Sequence, residues 1–388
     1  MKLKKLLSLL LSSSMLIGLS VSSFADSELT IGSSNDLSTE EGLFIESYMV
    51  PDDVVEYAKG FFQDISLSDL EAMDLNVNID DLYLSHGFTV TTIEKNVPDD
   101  QYCFPVLEND TVVAMMIVND DNGRYGIQFG ASNFSENLNS LNTDSKNPAA
   151  IYVSENAYYS IDQKGIGVLE TRPEVQKAVL EDEQRKLSNT ITLLNEDMPE
   201  IINVSKDTAY NIAPNQLSTF AYTNVRYPVA ITKNLTIDDK GICWAACTGA
   251  LIDYYEDKKA NTSHAESLRD EIYKKQKENT GSVSGGASDA QKYIKQYCGL
   301  TLSLKSDLTW EQVRKQVRPV YTAWRPTDNN TGHAMVLEGN RRSTVNDSYQ
   351  GIYLMDPNKT SKQLLTYGSA YRIGGKNYYW DRTVTDKY

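Results

Sequence analysis

The order of patterns in the second half of the chain is the feature that most constrains its fold. Segments with helical spacing come first, namely GICWAACTGALIDYY, SDAQKYIKQYC and TWEQVRKQV. Short runs with strand character follow them, namely PVYTAW, HAMVLEG, GIYLMDP and YYWDRTV. Because helices and strands are segregated and do not alternate, this half is predicted to have an α+β fold in which a helical part precedes a sheet. Ser288 with Gln291, and Thr309 with Gln312, have the spacing of capping boxes at two helix starts.

The first half carries strand patterns of a different kind. LYLSHGFTVTTI, QYCFPVLENDTVVAMMIVNDDNGRYGIQF and AAIYVSENAYYSI alternate or are rich in β-branched and aromatic residues, and END and NDDNG fall where hairpin turns belong. PDDVVEYAKGFFQDI before them and residues 172–195 after them have helical spacing. This half is therefore predicted to be mainly an antiparallel sheet with flanking helices.

Composition divides the chain into two parts. All four tryptophans and three of the four cysteines lie after residue 240. Residues 196–228, which precede them, have no clean period and are interrupted by prolines. We predict an N-terminal domain over residues 26–200, a linker with a maturation site over 201–224, and a second domain over 225–388.

The beginning of the chain has the pattern of a secretory signal peptide. Lysines precede a short apolar run that is broken by serines, and Ser23 and Ala25 occupy the positions of a cleavage site. A signal peptide over residues 1–25 predicts a secreted, extracellular protein with no stable membrane anchor after cleavage. The alternative is an uncleaved membrane anchor.

The overall charge and the cysteine count exclude several classes of protein. A formal net charge of −16 argues against a nucleic-acid partner, because phosphates require basic patches. The chain has no CxxC pair, His-Glu-x-x-His run or Gly-rich phosphate loop, so no metal or cofactor is predicted. Four cysteines are too few for a disulfide scaffold. If Cys243 must stay free, at most one disulfide can form, and Cys247 with Cys298 is the pair that stays within the second half.

A thiol, an imidazole and a carboxylate stand at element ends in the second half. Cys243 begins the first predicted helix, where unpaired N–H groups and the helix dipole favour a thiolate. His333 begins a strand in TGHAMVLEG, whereas His86 and His264 lie in stretches without a rigid strand context. Asp356 ends the next strand, in YLMDP. These groups on neighbouring elements are what a thiol nucleophile requires, although a single cysteine is more often a buried, inert thiol.

The motifs GICWAAC, TGHAMVLEG and YLMDP, in this order, resemble the papain-like cysteine peptidases, above all secreted bacterial members and relatives of bacteriocin-processing peptidases. The resemblance covers roughly residues 225 to 388 and implies a helical part followed by an antiparallel sheet. It implies Cys243 as the nucleophile, His333 as general base and later acid, and Asp356 as the group that orients His333. Papain itself has asparagine in the third role, so aspartate resembles the bacteriocin-processing branch.

One position departs from that family. The glutamine that stabilises the oxyanion usually stands about six residues before the cysteine, where this chain has Ile237. The backbone N–H of Cys243 remains as one oxyanion donor, and Asn234 or a displaced polar side chain would have to supply the other. Asp238 would do so only if protonated.

The sequence thus predicts a secreted cysteine endopeptidase, made as a zymogen, that cleaves protein or peptide substrates through a thioester. The N-terminal domain is predicted to act as its intramolecular inhibitor, with a permanent accessory domain as the alternative. Two other functions stay open. A peptidoglycan stem-peptide amidase or endopeptidase would usually have Asp before and Ser-Gly after the cysteine, where Ile242 and Trp244 stand. A catalytically inactive papain-like binding module is favoured by Ile237.

Overall fold

The computed structural model describes residues 41–95, 97–121, 123–172, 175–190, 200–214, 222–257, 259–328, 332–343 and 349–386. The predicted signal peptide, residues 1–25, and residues 215–221 of the predicted linker lie outside these ranges. The described residues all belong to one compact unit. Within them, no helix combines the length and the hydropathy that crossing a membrane requires.

The N-terminal half consists of a mainly antiparallel sheet with helices beside it. Its elements are β1 (Leu43–Ser47), α1 (Asp52–Gln63), α2 (Leu67–Ala72), a 3-10 turn (Ile79–Asp81), β2 (Leu82–Leu84), β3 (Phe88–Thr92), β4 (Pro98–Glu108), β5 (Thr111–Asp121), β6 (Arg124–Gly130), α3 (Asn133–Leu138), β7 (Ala149–Val153), β8 (Ala157–Asp162), β9 (Gly165–Thr171), α4 (Lys177–Thr190) and β10 (Glu200–Val204). Strands β4, β5 and β6 form consecutive antiparallel hairpins at the predicted turns. Two parallel pairings, β1 with β7 and β3 with β7, depart from the antiparallel prediction.

The main helices of the C-terminal half precede its main strands, as predicted, although within the described ranges three short strands come before the first helix and one comes between the helices. Its elements are β11 (Tyr222–Arg226), β12 (Thr236–Ile237), β13 (Lys240–Gly241), α5 (Cys243–Asp257), α6 (Thr262–Thr280), α7 (Ala287–Cys298), β14 (Ser303–Lys305), α8 (Trp310–Arg314), β15 (Val320–Pro326), β16 (His333–Ser343), β17 (Gly351–Met355), β18 (Gln363–Thr366), β19 (Tyr371–Ile373) and β20 (Lys376–Thr385). Strands β15, β16 and β17 are antiparallel neighbours. The α+β prediction for this half is confirmed.

Helix α5 forms the centre of the C-terminal half because almost every side chain on it is apolar or small. The ten residues from Trp244 to Asp253 are all buried. Helix α6 crosses so close to α5 that a Cβ added at Gly249 would lie 2.5 Å from the carbonyl oxygen of Ala265. This contact fixes α5 against its neighbours and thereby fixes the residue at its N-terminus.

The two halves share one sheet. Strand β6 pairs antiparallel with β18, so that Phe129 lies opposite Leu364. The segment predicted as a linker, residues 201–224, has strands at both ends: β10 pairs with β1, and β11 pairs with β16. These strands are only five residues long, which is too short for a period to stand out in the sequence.

Buried ion pairs also join the halves. Arg341 of β16 is fully buried, and its Nε donates to Asp69 Oδ1 at 3.0 Å. The hydroxyl of Tyr353 donates to the same carboxylate oxygen at 2.5 Å. Lys362, which is also buried, has its Nζ 3.0 Å from Oδ2 of Asp74, whose side chain is 45% exposed. The charges of Arg341 and Asp69, which are withdrawn from water, are stable only with their partners in place, so the contact is specific as well as apolar.

Candidate active site

Cys243 lies at the N-terminus of α5, as predicted. The carbonyl of Ile242 accepts hydrogen bonds from the N–H groups of Ala245 and Ala246, at 2.9 and 3.0 Å, which closes the first turn behind the cysteine. The first N–H groups of a helix have no partner within it, so they point toward any anion at this end. Cys243 is half-buried, whereas the next residue, Trp244, is buried and donates from Nε1 to the carbonyl of Val283 at 2.9 Å.

His333 is the first residue of β16, and its ring is almost completely buried. In the sheet it lies opposite Trp324, and the ring of Tyr378 meets the imidazole edge to face, with the centroids 6.4 Å apart. Its Nε2 is 2.7 Å from Asp356 Oδ1. The Cys243 thiol is also in hydrogen-bonding contact with the imidazole. Since Nε2 is engaged by Asp356, Nδ1 is the nitrogen left for the thiol.

Asp356 follows β17 and begins the acid loop, which we define as residues 356–362. Its carboxylate is buried and fully engaged. Oδ1 accepts the backbone N–H of Asn358 at 2.8 Å in addition to the histidine, and Oδ2 accepts the hydroxyl of Tyr371 at 2.7 Å. Burial alone would raise the pKa of Asp356, but His333, the Lys359 ammonium and the Tyr371 hydroxyl together hold that pKa below its usual value. Asp356 is therefore ionised at neutral pH.

The electrostatics of His333 follow from its two partners. Burial lowers the pKa of the imidazole, but the attraction and hydrogen bond of Asp356, with the hydrogen bond and charge of Cys243, raise it well above its usual value. The protonated imidazole, bonded to the Asp356 carboxylate, is thus the favoured state of His333. An imidazolium beside a cysteine favours the thiolate, which is the nucleophilic form of that side chain.

Asn234 is brought to this site by a hairpin that the sequence analysis did not recognise. Strands β12 and β13 pair Thr236 with Gly241, and the two-residue turn between them has positive φ at both positions. The N–H of Ile242 closes the neck of the hairpin on the carbonyl of Leu235, so Asn234 and Cys243 flank the neck although nine positions separate them in the sequence. Ile237 lies within the hairpin and packs against the apolar core around α5. Ile237, the residue six positions before the cysteine, is therefore used for packing.

The side chain of Asn234 contacts the acid loop. Its backbone N–H donates to the carbonyl of Pro357 at 2.9 Å, and its Nδ2 donates to Asn358 Oδ1 at 2.9 Å. Asn234 Oδ1 and Asn358 Nδ2 are buried without a hydrogen-bond partner. If both side-chain amides are turned by 180°, so that O and N change places, the hydrogen bond between them is kept and Asn358 becomes its donor. Asn234 Nδ2 is then free to donate to another group.

The remaining histidines and cysteines lie apart from this constellation. His86 is exposed and stacks on Tyr210, and His264 Nδ1 is 2.8 Å from Asp253 Oδ1 on the far part of α5. All four cysteines are free thiols, so the disulfide considered for Cys247 and Cys298 is not formed. Two residues that the sequence analysis missed, Tyr371 and Lys359, contact or influence Asp356; no local pattern marks either of them.

One comparison with known proteins bears on this site. Residues 222–384 match the sequence profile of the Peptidase_C39 like family. This match includes α5, β16 and the acid loop, and it confirms the resemblance from which the site was predicted. This part of the chain is a papain-like cysteine peptidase domain related to the bacteriocin-processing C39 peptidases. None of the curated proteins has a significant match to the chain.

Proposed function

We propose that this Peptidase_C39 like domain hydrolyses peptide bonds, with Cys243 as the nucleophile, His333 as general base and acid, and Asp356 as the group that orients His333. One observation carries the proposal. His333 Nε2 lies 2.7 Å from Asp356 Oδ1 while the same ring is in hydrogen-bonding contact with the thiol at the start of α5. A thiol, a base and an orienting carboxylate in series are the requirement for an activated nucleophile.

The reaction follows from these positions. The Cys243 thiolate attacks the scissile carbonyl carbon, and the carbonyl oxygen takes up negative charge. The imidazolium of His333 gives its proton to the departing amine, which leaves a thioester on Cys243. His333, now neutral, removes a proton from water, and the resulting attack releases the acid product and restores the thiol. Asp356 stays ionised throughout and stabilises the positive ring.

Asn234 is the side chain we propose for the second oxyanion donor, beside the backbone N–H of Cys243. Its place at the neck of the hairpin that leads to the cysteine supports this role. The hydrogen bond to Asn358, which can run in either direction between the two amides, supports it too. A side-chain amide that is already held in place by hydrogen bonds needs little reorganisation when charge develops, which favours it as an oxyanion donor.

We also propose that the chain is exported by its signal peptide and cut within residues 201–224. Inhibition by the N-terminal half requires that activity rise when this cut is made, whereas a permanent accessory role requires that activity stay the same. The shared sheet and the buried pair of Arg341 with Asp69 favour an N-terminal half that remains bound after the cut. Mass spectrometry of culture supernatants from wild type and Cys243→Ala would identify a self-made cut, because only the wild type would be shortened by its own activity.

The decisive test of peptidase activity is a matched assay of wild type and Cys243→Ala on casein and on purified cell wall. Hydrolysis of casein by the wild type alone, with labelling of Cys243 by a thiol-directed peptidase inhibitor, is the expected result. Cleavage of cell wall and not of casein would identify a peptidoglycan enzyme. An unlabelled Cys243 and no cleavage of either substrate would identify an inactive binding module and overturn the proposal.

A further inference from the structure

The acid loop is held by residues of both halves. It leaves β17 at Asp356 and enters β18 at Gln363, and its second part is fixed from the N-terminal side. The N–H of Ala131 donates to Ser361 Oγ at 2.9 Å, and the N–H of Lys362 donates to the carbonyl of Met73 at 3.1 Å. The loop that carries the orienting carboxylate is therefore held in part by hydrogen bonds to the N-terminal half.

Lys359 is the charged residue at the centre of this loop. Its backbone N–H donates to the carbonyl of Asp356 at 3.1 Å, and its ammonium lowers the pKa of the Asp356 carboxyl. The ammonium is not bonded to Asp356. It forms an ion pair with Glu170 Oε1 on β9, and the two side chains are only 5% and 10% exposed.

A small pocket next to this ion pair gives the lysine side chain room to change partner. Glu170, Lys359, Asn358 and Asp356 all line it. A buried ammonium that loses its carboxylate must find another or become neutral, because an isolated charge is costly away from water. Asp356 is a carboxylate within electrostatic reach of Lys359. If Lys359 bonded to it, the ammonium would compete with the His333 imidazolium for the same negative charge.

We propose that Glu170 of the N-terminal half is a positioning residue of the active site, which holds the Lys359 ammonium away from Asp356 and so reserves that carboxylate for His333. This proposal rests on the function proposed for Cys243, His333 and Asp356. It makes the N-terminal half part of the active-site structure, although none of the described residues of that half takes part in the proposed reaction.

Several other titratable groups lie at or near the His333 and Asp356 pair, and none of them is substituted in the test below. They come from α5, β15, β19, β20 and β8, and are Cys243, Cys247, Tyr321, Tyr371, Tyr378 and Tyr158. Burial raises the pKa of Cys247, Tyr321, Tyr371 and Tyr158 well above their usual values. These four groups stay neutral over the range in which a Cys243 and His333 ion pair would titrate.

The test is the pH dependence of iodoacetamide alkylation at Cys243, followed by peptide mass spectrometry on the full chain. Glu170→Gln removes the counter-charge of Lys359, so the ammonium turns to Asp356 and the imidazolium is less stabilised. The pH at which Cys243 becomes reactive should then rise by about half a unit to one unit, since a neighbouring opposite charge shifts a pKa by about one to three units. The double variant Glu170→Gln with Lys359→Gln has no ammonium to misplace, and its profile should return toward that of the wild type.

Each result decides something. If the alkylation profile of Glu170→Gln is identical to that of the wild type, Glu170 does not have the proposed role. If the profile of the double variant stays as far displaced as that of Glu170→Gln, the substitution at Glu170 distorts the site in general, and the proposed role is equally refuted. If Glu170→Gln does not fold, Glu170→Asp should show a smaller displacement in the same direction, and no displacement would overturn the role equally. A wild-type Cys243 that titrates as an ordinary thiol, near pH 8.5, would instead refute the proposed function itself.

Discussion

The two halves of this chain contribute to the site in different ways. The C-terminal half supplies Cys243, His333 and Asp356, each at the end of a regular element that its own core holds in place. The N-terminal half supplies contacts to the acid loop and to β18. The N-terminal half therefore helps to determine where Asp356 lies, because a loop takes its geometry from the residues against which it packs.

Removal of the imidazole should have the largest effect and should be confined to the chemistry. We expect His333→Ala to lower kcat/KM by about 10⁴-fold or more, since both proton transfers are lost. His264→Ala is the matched control and should retain full activity, because His264 pairs with Asp253 away from the site. Initial rates on a peptide substrate measure both. A His333→Ala enzyme as fast as the wild type would show that the reacting groups have been assigned wrongly.

Breaking the contact between the halves should act on stability and leave the reacting groups as they are. Asp69→Ala leaves Arg341 buried without its carboxylate, so the free energy of unfolding should fall by about 3–5 kcal/mol. Urea unfolding measures it. Asp182→Ala, which removes two exposed ion pairs on α4, should cause no measurable change. If Asp69→Ala is as stable as the wild type, the buried ion pair between the two halves does not contribute to the stability of the fold.

Removal of the proposed oxyanion donor, Asn234, should have an intermediate effect that is confined to turnover. Asn234→Ala should lower kcat by about a hundred-fold with little change in KM, the usual effect of losing one donor. Asp238→Asn in the turn of the same hairpin should leave kcat unchanged. Steady-state kinetics of the two variants distinguish them, and an unaffected Asn234→Ala would leave the second donor to another group.

The smallest expected effect is the pH dependence of stability at the His333 and Asp356 pair. The pKa of His333 is raised in the folded state, so its contribution to stability is fully present below the unfolded pKa of about 6.5 and is lost as the pH rises through the folded pKa. The difference in unfolding free energy between wild type and His333→Ala should therefore be larger at pH 6 than at pH 10. Urea titrations at the two pH values measure it. An equal difference at both would mean that the imidazole is neutral in the folded protein.

Local pattern was sufficient to predict that Cys243, His333 and Asp356 stand at the ends of regular elements, because each adjoins a helix or strand with a clear apolar period. It was insufficient where the structure depends on very short elements. The two-residue strands β12 and β13 have no period at all, so the sequence does not predict the hairpin that places Asn234 beside the acid loop and Ile237 in the apolar core. The capping box of α8, Thr309 with Gln312, is as predicted, whereas α7 is capped by Gly286 and Asp289 and not by Ser288.

Contacts between distant parts of the chain were not predictable either. Glu170 and Lys359 are 189 residues apart, and neither belongs to a motif. The sequence predicts a linker where β10 and β11 lie, because five residues with mixed polarity do not differ in pattern from an irregular segment. Whether a maturation cut falls within residues 201–224 stays a prediction.

The pairing of β6 with β18 has a consequence for how the chain folds. The N–H of Ile127 donates to Thr366 Oγ1 across 239 residues of sequence. At about 5–20 residues per second of synthesis, this interval alone takes roughly 10 to 50 s. During that time the edge of β6 has unsatisfied backbone groups that can pair with another chain. High contact order of this kind also slows folding. Truncation of the last two dozen residues, which spares every proposed reacting group, should therefore increase aggregation more than an equally long deletion before residue 40.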